Sequence, residues 1–385
     1  MAARGMGDHA HAVVVLGGGP SGSAAAAELA RRGLPTLLVG RSADRRPNIG
    51  ECLPPGIRPV LERAGVWEEF LRAGHTPSVG IRSAWGSHEL ADRDFLLSPY
   101  RAGWHIDRAR FDAMMRASAL RSGAAWLDCV ALRDVEQRAE GWRIKLSTDS
   151  GDCSINSPFV IDATGRACVF ARRVGAKRIA VDRLSGAAGH FSFVTMPSSI
   201  EPVLLLEAAE NGWWYTAPLP ERKLIAVFLT DADFIQRARL TQRNRWLAQL
   251  SSTVEQSRKI EKHGLTLDGE IRIVPAESAF LDCVAGDGWL AAGDAAASYD
   301  PLSAHGITAA ITSGLDAAHA AAAWLSGDRH ALAAHADRVR QGYAEYLTRR
   351  SIYYRIEGRW LGSEFWKTRH APPAAFSARK NPACA

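Results

Sequence analysis

Three glycines, Gly17, Gly19 and Gly22, carry the spacing G-x-G-x-x-G, with Pro20 and Ser21 between the last two. Glycine leaves no side chain over the backbone, so a bulky anion can lie against the peptide groups. If a helix begins at that turn, its unpaired N–H groups and positive dipole end face the anion. A second stretch, "GWLAAGDAAASYDPLSAHGI" (residues 288–307), puts Asp294 directly after Gly293, then three alanines, then Asp300-Pro301. A lone acid at the end of an apolar run can hold hydroxyl groups. The alanines leave space beside it, and Pro301 stiffens the loop. His305 is the one ionisable side chain between Pro301 and Gly306, and it can donate a hydrogen bond or exchange a proton. Glu51 stands between Gly50 and Cys52, ahead of Pro54-Pro55. A carboxyl there can act as an acid or base, or only cap a backbone N–H.

These groups need elements to hold them. Val13–Leu16 reads as a buried parallel strand. Residues 24–32 read as an alanine-rich helix with Gly33 as its C-cap, and residues 36–39 as the next strand. A β-α-β unit with the glycine pattern at its turn is a dinucleotide site. An acid usually follows the second strand and takes the ribose hydroxyls. Here Gly40 and Arg41 stand there, and the nearest acid is Asp44. Arg41 or water is expected to hold the ribose. An arginine can also take a 2′-phosphate, which leaves NADP as one reading.

Asp107 is expected to cap a helix. "FVIDATGR" reads as a buried strand ending at residues 163–165. Residues 185–275 show alternating strands rich in Trp and Phe, as in "GWWYTAPLP". They predict an antiparallel sheet inserted into the α/β framework. After Gly306 the pattern is helical.

The bulk properties exclude several classes. The 385 residues are 47% hydrophobic, enough for a sizeable core, with a formal charge of +6. No basic tract suggests nucleic acid. No apolar run reaches the ~18 residues of a membrane span, and the N-terminus lacks a secretory layout. A cytoplasmic protein is expected. Cys52, Cys129, Cys153, Cys168, Cys283 and Cys384 form no C-x-x-C pair, so no zinc or dithiol site is indicated and reduced thiols are expected.

The glycine fingerprint, the Asp-Ala-Thr-Gly strand end (Asp162 to Gly165) and the Gly293-Asp294 strand end together resemble the FAD-dependent monooxygenase superfamily. That superfamily includes p-hydroxybenzoate hydroxylase, geranylgeranyl reductases and flavin-dependent halogenases. Short matches in "IGECLPPGIRPVLE", "RSAWGS", "GWHIDRARFD", "GWWYTAPLP" and "DPLSAHGI" resemble LodB-, GoxB- and QhpG-like maturases of tryptophylquinone enzymes. The resemblance implies an α/β fold: an FAD-binding Rossmann-like domain with an inserted antiparallel-sheet substrate domain and C-terminal helices. The expected boundaries are 10–75, 100–180 and 275–325 for the FAD domain, 76–99 and 181–274 for the substrate domain, and 326–385 for the helical segment. It implies cofactor contacts from Gly17, Gly19, Pro20, Ser21, Gly22, Arg41, Arg108, Gly165, Gly293, Asp294, Pro301 and Gly306. In the implied chemistry, reduced FAD and O2 form a C4a-hydroperoxide that oxygenates an electron-rich aromatic. The maturase resemblance makes that aromatic a tryptophan of a partner polypeptide. One dinucleotide fingerprint implies no separate nicotinamide domain, so NAD(P)H binds transiently or a separate reductase supplies electrons.

His305 and Glu51 are the expected catalytic residues. Trp213, Trp214 and Tyr215 are expected to line the substrate pocket, although alternate residues of a strand can equally pack a core. Cys52 is weighed as a reactive thiol and set aside, because nothing nearby depresses its pKa. The aromatic and arginine mixture near the C-terminus suits either a partner surface or a helix packed on the core. Four functions compete: an aromatic hydroxylase acting on a peptide or a small molecule, a halogenase, an isoprenoid reductase, and a flavin-binding chaperone. No lysine precedes Lys145, and "WWYTAP" departs from the W-x-W-x-I-P element of halogenases. Both departures count against halogenation.

Overall fold

The structure, a computed structural model, describes residues 11–41, 49–193 and 201–371. Asp44 and Cys384 lie outside the described residues. The first layer is a six-stranded sheet in the order Ala285–Gly286, Trp289–Ala291, Phe159–Asp162, Val13–Leu16, Thr36–Gly40, Ala125–Asp128. All pairings are parallel except that of the two-residue edge strand Ala285–Gly286. Val13, Val14 and Val15 are fully buried, which is why this strand reads as an unbroken apolar run. Each such side chain contributes about 1.5–3 kcal/mol by leaving water.

The turn after Val13–Leu16 leads into helix Pro20–Arg31, which begins four residues earlier than position 24. Proline suits a first helical turn, where its missing N–H has no partner to lose. Gly33 closes the helix at φ +77°. Asp107 caps helix Arg108–Arg121 as expected, accepting from the Arg110 N–H at 2.8 Å.

The second layer is a seven-stranded sheet: Leu265–Pro275, Leu184–Phe193, Lys223–Asp231, Gly212–Leu219, Val203–Ala209, Gly80–Ala84, Ala91–Asp94. It is antiparallel except where Val203–Ala209 runs parallel to Gly80–Ala84. Residues 185–275 are therefore strands as expected, but not strands alone. Helices Ala232–Arg237, Arg243–Ser251 and Glu255–Lys262 intervene and cover one face. Trp246 of the second helix is wholly buried there, its indole N–H donating to Ala187 O at 3.0 Å. A further three-stranded sheet, Ala131–Arg138, Gly141–Thr148 and Gly151–Ser157, was not foreseen. Its strands are largely polar, and charged residues obscure the alternation.

Helix Gly306–Leu325 packs on the glycine-turn helix, so closely that a Cβ on Gly314 would meet Ser21 O at 2.1 Å. Helix Ala331–Ile356 follows, then helix Glu364–His370. No helix among the described residues is long and apolar enough to cross a membrane. Cys52, Cys129, Cys153 and Cys168 are free thiols as expected, whereas Cys283 is disulfide-bonded.

Candidate active site

One cavity of about 2210 Å³ runs between the two sheets and is flanked by helix Ala331–Ile356. At one end lies the glycine turn. Gly17 sits at φ +114°, and a Cβ there would fall 2.1 Å from Ala163 O. A Cβ on Gly22 would fall 1.8 Å from Gly17 O. These two glycines let the turn, the neighbouring strand and the helix close on one another. Gly19 differs: nothing lies within 4 Å of its Cβ position, which opens on the cavity. It is also the helix N-cap, with no side-chain cap and no acid in the first turn. The first-turn N–H groups are left for an outside acceptor. Ser21 Oγ is buried without a partner.

Arg41 lines the cavity but is held by the carbonyl of Val130 through Nε and Nη2. Gly40, where an acid would usually stand, lies against Trp126: a Cβ there would meet the indole at 2.7 Å. No larger side chain fits at that position.

Further along, Gly293 turns at φ +61° and its would-be Cβ meets Ser21 Cβ at 2.7 Å. It does not line the cavity; it seats the strand end against the first helix so that Asp294 can. Asp294 Oδ2 lies 3.6 Å from Arg166 Nε. Burial raises its pKa, and Arg166, Arg108 and Arg178 oppose the rise. Arg166 also donates to Glu277 O at 2.5 Å, to Ser298 Oγ at 3.3 Å and to Tyr299 O at 3.3 Å. Arg108 donates to Ile49 O at 2.5 Å and pairs with Asp112 at 3.2 Å, which fixes the Gly50-Glu51 approach.

Asp300 is 1% exposed and anchors the loop. It caps its own turn, accepting from Leu302 N at 2.9 Å, and takes the Arg350 Nε and Tyr354 hydroxyl donors at 3.1 and 2.7 Å. Pro301, Ala304, His305 and Gly306 then line the cavity. His305 is the N-cap of helix Gly306–Leu325 and makes no side-chain cap bond. Ile307, Ala309 and Ala310 also line the cavity, so this helix, too, points its N-terminus inward. Thr308 Oγ1 is buried there without a partner.

The far end is aromatic and acidic. Glu51 is 5% exposed, and Tyr215 donates its hydroxyl to Oε2 at 3.1 Å. Burial raises the Glu51 pKa, while backbone N–H groups of Glu51 and Gly50, Arg108 and Tyr215 pull it back. Trp213 lines the cavity beside Tyr215, and its indole N–H donates to the Tyr354 hydroxyl at 3.1 Å. Trp214 does not line the cavity. It points to the opposite face, stacked on Phe228 at 4.8 Å and edge-on to Trp246 at 5.1 Å. The two-residue period of the strand decides this: Trp213 and Tyr215 share one face, Trp214 the other. Cys52 Sγ lies 3.4 Å from His105 Nδ1. Burial raises the thiol pKa and lowers that of the histidine to about 3, so this pair is neutral and not a reactive thiolate.

The structure thus places Gly17, Gly19, Pro20, Ser21, Arg41, Glu51, Arg108, Gly165, Asp294, Pro301, His305, Gly306, Trp213 and Tyr215 around one cavity. Gly22, Gly293 and Trp214 are set behind its walls. Sequence reasoning did not assign Arg166, Arg350 or Tyr354 to the site, although the run holding the last two was weighed as a partner surface or a core-packed helix. Arg166 directly follows Gly165 in "DATGR", which was the available signal; the others come from elements distant in the chain. Among the described residues no lysine lines the cavity, and no cluster of His, Cys, Asp and Glu could hold a metal.

Residues 10–351 match the family described as FAD binding domain. A protein of Marinomonas mediterranea, described as FAD-dependent oxidoreductase LodB, is 28% identical over 363 residues, covering 93% of this chain and 96% of its own. Among solved structures, the myxobacterial chondrochloren halogenase CndH superposes with a TM-score of 0.85 at 24% identity, covering 94% of this chain and 86% of that one. Peptidyl tryptophan dihydroxylase QhpG, essential for tryptophylquinone cofactor biogenesis, superposes at 0.72 with 21% identity, covering 95% and 80%.

Proposed function

The chain belongs to the FAD-binding domain family and is a flavoprotein oxidoreductase, and from that premise we propose that it hydroxylates an electron-rich aromatic, namely a tryptophan of a partner polypeptide. The observation that carries the reading is the Glu51–Tyr215–Trp213 end of the cavity, facing the Asp300–His305 loop with no lysine on its walls among the described residues. Halogenation by the route the resemblance implies needs a lysine beside the substrate, and none precedes Lys145. The LodB and QhpG likenesses support the maturase reading, as does the peptidyl tryptophan on which QhpG acts.

The residues fit FAD. The Gly19 cradle and uncapped first turn suit its diphosphate, the orphaned Ser21 Oγ offers a hydrogen bond beside it, and Asp294 suits the ribityl hydroxyls. Bound FAD supplies the reducing equivalents that activate O2. A transient nicotinamide or a separate reductase delivers those equivalents.

The chain's own groups do the rest. The N-terminus of helix Gly306–Leu325 presents positive dipole and open N–H groups to a developing negative charge. His305, at that N-cap, is placed to donate a hydrogen bond. Glu51, with its raised pKa, can hold a proton on its carboxyl where a fully solvated glutamate would have lost it. Trp213 and Tyr215 present flat faces on which an indole can be oriented.

The test is aerobic turnover of the reduced holoprotein with a tryptophan-containing peptide. A product heavier by one or two oxygen atoms supports the reading. Oxygen uptake that yields only hydrogen peroxide with every aromatic and peptide offered would sink it. A bromide-dependent mass gain favours a halogenase instead, and activity restricted to anaerobic conditions with an isoprenoid favours a reductase.

A further inference from the structure

The cavity has a mouth that the proposed chemistry does not use. Tyr353 and Ile356 are 50% and 53% exposed on helix Ala331–Ile356, yet both line the cavity. They continue a stripe with Gly342, Glu345 and Arg349, spaced along one helix face. Leu97, 92% exposed, also lines it. Large apolar side chains left in water around one opening mark a surface that something covers.

Charge says what covers it. Arg93, Arg272 and Arg349 are exposed and line the same cavity. None pairs with a carboxylate among the described residues, in a chain whose other surface arginines commonly do. Two exposed acids line it as well, each hydrogen-bonded by a neutral donor that leaves its charge in place: Asp94 accepts from Leu96 N at 2.6 Å, and Glu345 accepts from the Gln341 amide at 3.2 Å. With these three arginines against those two acids, the opening is apolar with a small excess of positive charge.

We infer that this mouth docks an acidic polypeptide segment, apolar side chains seating on Leu97, Tyr353 and Ile356 while its carboxylates meet Arg93, Arg272 and Arg349. The inference rests on the polypeptide-substrate reading above and adds the chemistry that recognises the partner. Nucleic acid is the other anionic occupant. Three arginines beside Leu97, Ile356 and one exposed tyrosine, Tyr353, do not make a row of platforms for successive bases, which favours the polypeptide.

The experiment is equilibrium binding to the FAD-loaded protein, read by fluorescence anisotropy. The probes are a fluorescein-labelled peptide with one tryptophan flanked by glutamates and leucines, the same peptide with lysines for glutamates, and a single-stranded oligonucleotide of matched charge. The glutamate peptide is expected to bind, and to weaken as salt rises. The Arg272→Glu/Arg349→Glu protein is expected to bind it at least roughly tenfold more weakly. Flavin absorbance checks that this variant is folded and loaded. Equal binding of the two peptides, unchanged binding by the variant, or tighter binding of the oligonucleotide overturns the inference. Oxygen transfer is not part of the readout, so the docking surface and the hydroxylation can fail separately.

Discussion

The Tyr354 hydroxyl donates to Asp300 Oδ2 at 2.7 Å, and the same hydroxyl accepts the Trp213 indole N–H at 3.1 Å. One side chain of the C-terminal helix thereby joins the Asp-Pro loop to the wall of the substrate end. Arg350, one turn earlier, holds Asp300 at 3.1 Å and Asp182 at 2.8 Å, and lies over the Tyr354 ring at 4.9 Å. Tyr346, a further turn back, accepts the Asp300 N–H at 2.7 Å. The helix is part of the site, not an appendage to it.

Tyr354→Phe tests this clamp. It keeps the ring and its packing but leaves the buried Trp213 N–H without an acceptor and Asp300 with one donor fewer. A loss of about 1–3 kcal/mol is expected for an orphaned buried group, read by denaturant unfolding. Turnover should fall as well, because Pro301 and His305 follow directly from Asp300. An unfolding midpoint equal to that of the wild type would show that the clamp contributes nothing.

Gly19 and Gly22 stand three residues apart and should fail differently. A methyl on Gly22 would overlap Gly17 O at 1.8 Å, so Gly22→Ala is expected to destabilise the fold by about 1–3 kcal/mol or more. A methyl on Gly19 meets nothing in the protein, so Gly19→Ala should fold normally and lose FAD affinity. Thermal unfolding of the apoproteins and flavin titration separate the two. Loss of both properties in both variants would contradict the assignment.

The local half of the site was legible in the sequence because its signals are local. The glycine turn, the Asp294 strand end and the Asp107 cap each depend on neighbours within a few residues. The strand holding Trp213 to Tyr215 was visible too, but not which of its faces met the cavity. Only tertiary packing decides that, and Trp246, on a helix hidden among strand-like segments, claimed Trp214. Arg350 and Tyr354 were legible only in part: their aromatic and arginine run suited a partner surface or a helix packed on the core, and only the fold brings Asp300 beneath both side chains.

Lys259 offers a test away from the cofactor. Its Nζ is buried without a hydrogen-bond partner, and burial lowers its pKa to about 8. The folded chain binds this proton less tightly than the unfolded chain does. Stability from this site is therefore lowest below about pH 8 and rises as pH climbs toward the unfolded value of 10.5. Lys259→Met removes an unpaired buried charge, so it should raise the melting temperature at pH 7, by about 2 kcal/mol in stability. The gap between variant and wild type should narrow above pH 10. A destabilised Lys259→Met at pH 7 would mean that the amine has a partner in solution.

Glu51 makes the complementary case, with the opposite sign. Burial raises its pKa above the ordinary 4.5, so the folded chain holds this proton more tightly than the unfolded chain. Its contribution is fully present below the unfolded pKa and is lost as pH rises through the folded one. Glu51→Gln stays neutral and keeps an acceptor for the Tyr215 hydroxyl. The variant should lose this pH dependence and match or exceed wild-type stability above the folded pKa, as read by melting temperature across pH. Turnover separates the roles. If Glu51 supplies a proton, Glu51→Gln should lower kcat by ~10²–10⁴-fold and flatten the alkaline limb of the profile, with FAD still bound. If it only anchors Tyr215, kcat should stay within a few-fold and keep its shape. The second outcome would remove Glu51 from the chemistry and leave His305 as the cavity's remaining candidate acid.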